Sequence, residues 1–202
     1  MLDGIGRKLK DVILYPLVQA LPRAIHPNAI TVASLIPGVA AAVLAATGLW
    51  WWAQAAFWLN RGLDGLDGLV ARQRGQQSDF GGYLDIMVDF AVYAALPIGV
   101  WWGSGATPSM ATTVALVVLL AVFYVNGASW MYLSAVLEKR RSAHRGSTSV
   151  AMPGGLIEGT ETVVFFTLFL AFPRWAAPLF ALMAAGTAIG VAQRLLWARR
   201  HL

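Results

Sequence analysis

The sequence predicts an all-α integral membrane protein, with six transmembrane helices preceded by an N-terminal amphipathic helix at the membrane interface. Three observations lead there. Of 202 residues, 58% are hydrophobic and 12% charged, against about 25% charged in an ordinary soluble domain. Mean hydropathy is +0.62. The basic residues stand in groups between long apolar stretches, which is the positive-inside arrangement of a multi-spanning chain.

The elements follow in chain order. Residues 7–24 place Arg7, Lys8 and Lys10 at one end, with apolar residues at helical spacing interrupted by Pro16 and Pro22. This pattern predicts a helix lying on the cytoplasmic leaflet. His26-Pro27-Asn28 predicts a turn, with Asn28 as the cap of the next helix. A hydrocarbon core about 30 Å thick takes around 20 helical residues. Six spans fit, near 29–49, 51–73, 81–103, 109–137, 154–172 and 175–196, with turns at Gly48, at 103–108 and at Pro173. No repeat, linker or low-complexity segment divides the chain. A single domain over 1–202 is expected, residues 1–28 being juxtamembrane and 29–202 the bundle.

With six spans, every lysine and arginine except Arg61 and Arg174 falls on the side of both termini. That side is predicted to be cytoplasmic. The net charge of +5 therefore belongs to membrane topology, and nucleic acid is not an expected partner. Cysteine is absent, which removes disulfide frameworks and thiolate zinc sites. The mixed charges at the N-terminus predict no cleavable signal peptide. Trp50-Trp51-Trp52 and Trp101-Trp102 fit an interfacial belt at the outer boundary. His26, His144 and His201 are scattered at the opposite boundary and do not read as metal ligands.

The chemistry is concentrated in two apolar stretches. Asp64 and Asp67 are three residues apart, and Asp85 and Asp89 four apart, so each pair shares a helix face. Each acid at mid-membrane costs roughly 2.5–3.5 kcal/mol, and four unpaired acids on the order of 10–14 kcal/mol. A cation among them is expected. The connection from Gln73 to Phe80 is short, so the two helices are antiparallel neighbours and the four carboxylates converge at the cytoplasmic end. Carboxylate oxygens without sulfur or imidazole suit a hard cation such as Mg²⁺, Mn²⁺ or Ca²⁺. Magnesium commonly shares such a site with substrate phosphates. Gly65, Gly68, Gly81 and Gly82 stand among the acids, where glycine allows close helix packing or leaves room for a ligand. Arg72, one turn beyond Gly68, is placed to grip a phosphate or to anchor the helix end.

The run Asp64-x-x-Asp67-Gly68-x-x-Ala71-Arg72, then eight residues, then Gly81-x-x-x-Asp85-x-x-x-Asp89 resembles the signature of the CDP-alcohol phosphotransferases at every position. The resemblance implies transfer of a phosphoryl-linked group from a CDP-linked donor to an acceptor hydroxyl, with release of CMP. It implies that Asp64, Asp67, Asp85 and Asp89 bind divalent metal, Mg²⁺ or Mn²⁺, with Ca²⁺ as a surrogate. Asp89 is implied as the base toward the acceptor, and Gly68, Ala71, Arg72 and Gly81 as the nucleotide site. A homodimer is expected from the family alone.

The second half of the chain is expected to hold acceptor specificity. Glu158 and Glu161 share a face at the start of the fifth span and suit hydrogen bonding to a polar acceptor; a helix cap or a salt bridge with Arg61 is the plainer alternative. Lys139-Arg140-Arg141 suits anionic lipid, with Arg141 as a candidate acceptor contact. The chain resembles inositol-phosphate-using relatives around Glu138 and Glu158 to Glu161. Their acceptor-phosphate basic residues, however, align with Ser134, Gly159 and Thr162 here. That departure favours an unphosphorylated acceptor such as inositol, serine or a related polyol. The expected activity is phosphatidyl transfer from CDP-diacylglycerol in phospholipid biosynthesis, at the cytoplasmic face of a bacterial inner membrane. Alternatives are glycerol 3-phosphate or inositol phosphate as acceptor, and a soluble CDP-alcohol donor with diacylglycerol as acceptor. A cation transporter would sooner show repeats and mid-membrane charges, and an idle lipid-binding homologue would not be expected to keep all four acids.

Overall fold

The computed structural model describes residues 13–105, 109–143 and 155–202, the last three residues of the middle segment as backbone alone. Residues 13–20 are helical (α1). Six longer elements follow: α2 (Pro27–Ala46), α3 (Trp50–Arg74), α4 (Asp79–Gly103), α5 (Met110–Ala143), α6 (Gly159–Ala171) and α7 (Ala176–His201). Among the described residues there is no strand. In α1, Leu14 and Val18 are buried one turn apart against Ile30 of α2 and Leu66, Leu69 and Val70 of α3, while Ile13, Tyr15 and Leu17 face outward. The basic residues Arg7 to Lys10 lie outside the described residues.

Local chemistry explains the ends. Gly48, at φ +77°, turns the chain between α2 and α3, and Gly75, at φ +64°, closes α3. Both need the left-handed region that glycine enters without steric cost. Ser78 caps α4, its Oγ accepting from the Gly81 N–H at 3.1 Å. The cap of α2 is His26, not Asn28 as the sequence suggested: Pro27 takes the first helical position and His26 Nδ1 accepts from the Asn28 N–H at 3.2 Å. That leaves the Asn28 side chain for another purpose.

Four helices are long and apolar enough to cross a membrane: Pro27–Ala46, Asp79–Gly103, Met110–Arg140 and Pro173–His201. The chain is an integral membrane protein. Of the other two, α6 is apolar but has 13 residues. The 25-residue α3 has the length, but it carries Arg61, Asp64, Asp67, Arg72 and Arg74. Helix ends differ from expectation most at α5 and α7, which run several residues further, and at α6, which is shorter.

Chain direction alternates, so the bundle has two distinct ends. A Cβ at Gly103 would crowd the Ala45 carbonyl and the Trp50 ring, placing the end of α4 beside the end of α2 and the start of α3. Trp51, Trp52 and Trp102 are exposed there. At the opposite end Arg140 of α5 donates to the backbone carbonyls of His201 and Leu202. There Arg74 of α3 also clamps the stretch before α2, donating to the carbonyls of Leu21 (2.7 Å), Ile25 (3.0 Å) and Pro22 (3.2 Å).

Between membrane helices, lipid removes the hydrophobic drive for association, and close packing with polar contacts takes over. Gly38 and Gly99 sit where α2 and α4 touch, and a Cβ at Gly99 would enter the Ala42 backbone. The aromatic core is built from Phe57, Phe166, Phe169 and Phe180, all fully buried. Phe169 and Phe180 meet edge to face at 4.8 Å, and Tyr93 meets Phe166 at 5.4 Å. This core holds α3, α4, α6 and α7 in register beside the acidic residues.

Candidate active site

The signature residues reach one place from two helices. Asp67, Gly68, Ala71 and Arg72 on α3 and Gly81 and Asp85 on α4 line a cleft of about 200 Å³. The third wall is α2, with Pro27, Asn28 and Thr31, and the connection from Gln76 to Ser78 closes it. This end of the cleft is where α3 finishes and α4 begins, at the basic end of the bundle. A Cβ at Gly81 would stand 3.1 Å from Asn28 Oδ1 and 3.2 Å from Ser78 Oγ, and one at Gly68 3.3 Å from Arg72 Nη1. Both glycines therefore keep the cleft open. At Gly82 a Cβ would meet open space.

Asp67 is almost fully buried, and the Thr31 hydroxyl, also buried, donates to its Oδ2 at 2.5 Å. Asp85 lies within electrostatic reach of the other three acids and of Arg61. Asp64 and Asp89 do not line the cleft; they meet behind it, at Arg61. The Arg61 guanidinium donates from Nη2 to Asp89 Oδ1 at 2.8 Å, and its Nη1 stands 3.8 Å from Asp64 Oδ2. The constellation thus divides in two, with Asp67 and Asp85 facing the cleft and Asp64 and Asp89 around the guanidinium.

The donor set fits a divalent cation. It offers carboxylate oxygens from two facing helices and the Thr31 hydroxyl beside one of them, the hard ligands that Mg²⁺ and Mn²⁺ prefer. As the side chains stand, no three acids or histidines among the described residues form a ready-made metal cluster.

The acceptor candidates are elsewhere. Glu158 and Glu161 form a reciprocal capping box at the start of α6, with Glu161 Oε2 accepting from the Glu158 N–H at 3.2 Å. The cap is the alternative the sequence allowed. Its other alternative, a bridge to Arg61, is not made, because Arg61 is committed to Asp89. The Arg141 side chain lies outside the described residues, as do Arg145 and His144.

Sequence reasoning missed three residues that line the cleft, Thr31, Asn28 and Gln76, and a fourth, Arg194, on α7. Thr31 and Asn28 come from α2, and nothing in their spacing announces a third wall. Gln76 presents a buried Oε1 with no hydrogen-bond partner among the described residues. Arg194 on α7 is buried, donates to Asn126 on α5, and is within electrostatic reach of Glu158. Its Nε is likewise without a partner among the described residues.

Comparison with known proteins bears on all of this. A family model for CDP-alcohol phosphatidyltransferase matches residues 24–197. The chain belongs to the CDP-alcohol phosphatidyltransferase family. Members of this family are membrane transferases of phospholipid biosynthesis that use divalent metal, and the chain is one of them. The inner membrane protein YnjF of Escherichia coli is 36% identical over 168 residues, covering 82% of this chain and 79% of its own. The phosphatidylinositol phosphate synthase of Mycobacteroides abscessus is 32% identical over 205 residues, 95% of this chain and 86% of its own. Among solved structures, the Mycobacterium tuberculosis phosphatidylinositol phosphate synthase with manganese and citrate is 25% identical. It superimposes with a TM-score of 0.72, over 89% of this chain and 86% of that one. The same synthase with CDP-DAG bound shares the fold, at 23% identity, TM-score 0.69, and 93% and 92% coverage.

Proposed function

We propose that this protein transfers a phosphatidyl group from CDP-diacylglycerol to the hydroxyl of a small polar alcohol and releases CMP. The observation that carries the reading is the single cleft lined by Asp67, Gly68, Ala71, Arg72, Gly81 and Asp85, with Asp64 and Asp89 directly behind it. All six long helices cross the membrane in this reading, the 13-residue α6 together with the chain that flanks it and α3 by burying its charges against α2 and α4. Both termini and the cleft face the cytoplasm, α1 lies along the leaflet, and the protein works as a homodimer.

The chain's own residues divide the work. Gly68 and Gly81 leave room for the nucleotide, and Arg72 supplies a cationic partner for a phosphate oxygen. Gln76 Oε1 offers an acceptor suited to the amino group of a cytosine base. Asp64, Asp67, Asp85 and Asp89 would hold the divalent ion, either Mg²⁺ or Mn²⁺. When bound, that ion neutralises diphosphate charge and improves CMP as a leaving group. Asp89 accepts the proton of the attacking hydroxyl, a contribution of about 10²- to 10⁴-fold. The cost of separating charge in a low-dielectric site makes positioning of the diphosphate the larger contribution.

An unphosphorylated acceptor such as inositol, serine or a polyol is favoured by Ser134, Gly159 and Thr162, neutral residues at positions where the resemblance to inositol-phosphate-using relatives implies basic ones. One observation favours the second reading, inositol phosphate. Arg194 is a buried guanidinium with an unused Nε beside Glu158, able to receive an anion. The test is CMP release from purified protein with CDP-diacylglycerol and Mg²⁺ or Mn²⁺. The acceptor panel is inositol, inositol phosphate, glycerol 3-phosphate, serine and glycerol, with D89N as control. Release dependent on a neutral acceptor supports the first reading. Dependence on inositol phosphate, lost in R194Q, supports the second. Release with no member of the panel overturns both.

A further inference from the structure

Arg61 is not one of the signature residues, yet it is the cation around which two of the four signature carboxylates are arranged. Three features set it apart from an ordinary positive-inside arginine. It is 8% exposed, and it lies deep in α3, away from the basic end of the bundle. Each of its nitrogens is directed: Nε donates to Asn60 Oδ1 at 2.8 Å, Nη2 to Asp89 Oδ1 at 2.8 Å, and Nη1 to the Tyr93 hydroxyl at 3.4 Å. Its guanidinium carbon lies 5.5 Å from the Tyr93 ring centroid and 6.0 Å from that of Phe57. Asn60 is itself fully buried and donates to the Ser34 carbonyl at 2.8 Å. A continuous hydrogen-bonded path therefore runs from the α2 backbone through Asn60 and Arg61 to Asp89 on α4.

A guanidinium held from behind in this way cannot leave for solvent. Its charge stays beside Asp64 and Asp89 at any metal concentration. We propose that Arg61 is the resident counter-cation of the carboxylate cluster, and that it competes with the divalent ion for Asp64 and Asp89. It thereby sets how tightly the protein takes metal from solution. Without it, four acids on neighbouring helices would face one another across a medium of low dielectric, which is costly for buried charge. With it, the cluster is stable before metal arrives, and the affinity for metal is held down. The same bond orients Asp89, so Arg61 is also a positioning residue.

This inference rests on the metal-dependent reading above, and its test is binding of Mn²⁺ alone, without donor or acceptor. Full-length protein in detergent is titrated with Mn²⁺, and the free ion is read by electron paramagnetic resonance. R61Q should bind about tenfold tighter or more, because the unit positive charge beside Asp64 and Asp89 is removed at low effective dielectric. R61K, which keeps the charge, should stay near the parent. Loss of packing lowers affinity, so a gain in R61Q is not what a merely structural residue produces. Equal or weaker binding in R61Q overturns the proposal. Should R61Q not fold, D89N and R61Q/D89N give the same comparison with the charges rebalanced. Tighter binding in the double variant supports the proposal, and equal or weaker binding overturns it. D85N should weaken binding, which assigns the ion to this cluster. No Mn²⁺ uptake by the parent protein would overturn the metal reading itself, and the inference with it.

Discussion

The Thr31 hydroxyl donates to Asp67 Oδ2 at 2.5 Å, with both residues buried, so a side chain from α2 holds a signature carboxylate from α3. A hydrogen bond to a charged group contributes about 1.5–3 kcal/mol. T31V removes the donor and keeps the shape. Its metal-free form should lose about 1.5–3 kcal/mol of stability, and Mn²⁺ should restore part of the loss by satisfying the same oxygen. Thermal melts in EDTA and in Mn²⁺ check this. Equal melts for T31V and the parent in EDTA would show that the contact contributes nothing.

Asp89 is expected to be the acid whose amide loses turnover without loss of fold. D89N keeps an oxygen to accept from Arg61, so the link between α3 and α4 survives. It removes the proton acceptor, and CMP release should fall by about 10²-fold or more. The melting temperature and the protein's binding of CDP-diacylglycerol should change little. Activity within a fewfold of the parent would remove Asp89 as the base.

Gly81 and Gly38 should separate site from scaffold. A Cβ at Gly81 would project toward Asn28 Oδ1 and Ser78 Oγ at the cleft wall. G81A should therefore raise the donor KM severalfold with a small change in melting temperature. At Gly38 a Cβ would stand 2.5 Å from Val92 Cγ2 and 3.0 Å from Asn60 Nδ2. Such overpacking costs about 1–3 kcal/mol, so G38A should lower the melting temperature clearly. If G81A melts early and leaves KM unchanged, Gly81 is a packing residue.

The two scales of the molecule were not equally legible in the sequence. Hydropathy and the turn signals at Gly48 and 103–108 placed α2, α3 and α4 within a few residues, because burial in lipid requires apolar length; the left-handed turn at Gly75 came only with the structure. The spacing of Asp64, Asp67, Asp85 and Asp89 predicted that the acids would meet. It did not show that they divide into two pairs, because that depends on the register of α3 against α4. The Arg61–Asp64 pair is local, three residues apart, whereas Arg61–Asp89 spans two helices. The α2 wall was hidden for the same reason. Asn28 read as a cap until His26 took that position and freed its side chain to line the cleft.

Glu161 tests whether the capping box also serves an acceptor. Its Oε2 accepts from the Glu158 N–H, a contact that glutamine can reproduce, since Glu and Gln are both found at this place in capping boxes. E161Q should therefore keep the fold and the melting temperature, while E161A should lose about 0.5–2 kcal/mol as the cap is broken. If the carboxylate also hydrogen-bonds the acceptor, E161Q should raise the acceptor KM more than the donor KM. Measuring both constants on the active member of the acceptor panel decides the matter. Equal changes in the two constants, with an unaltered melt, would confine Glu161 to its role as a cap and turn the search for acceptor contacts to Arg194 and the α5 side of the bundle.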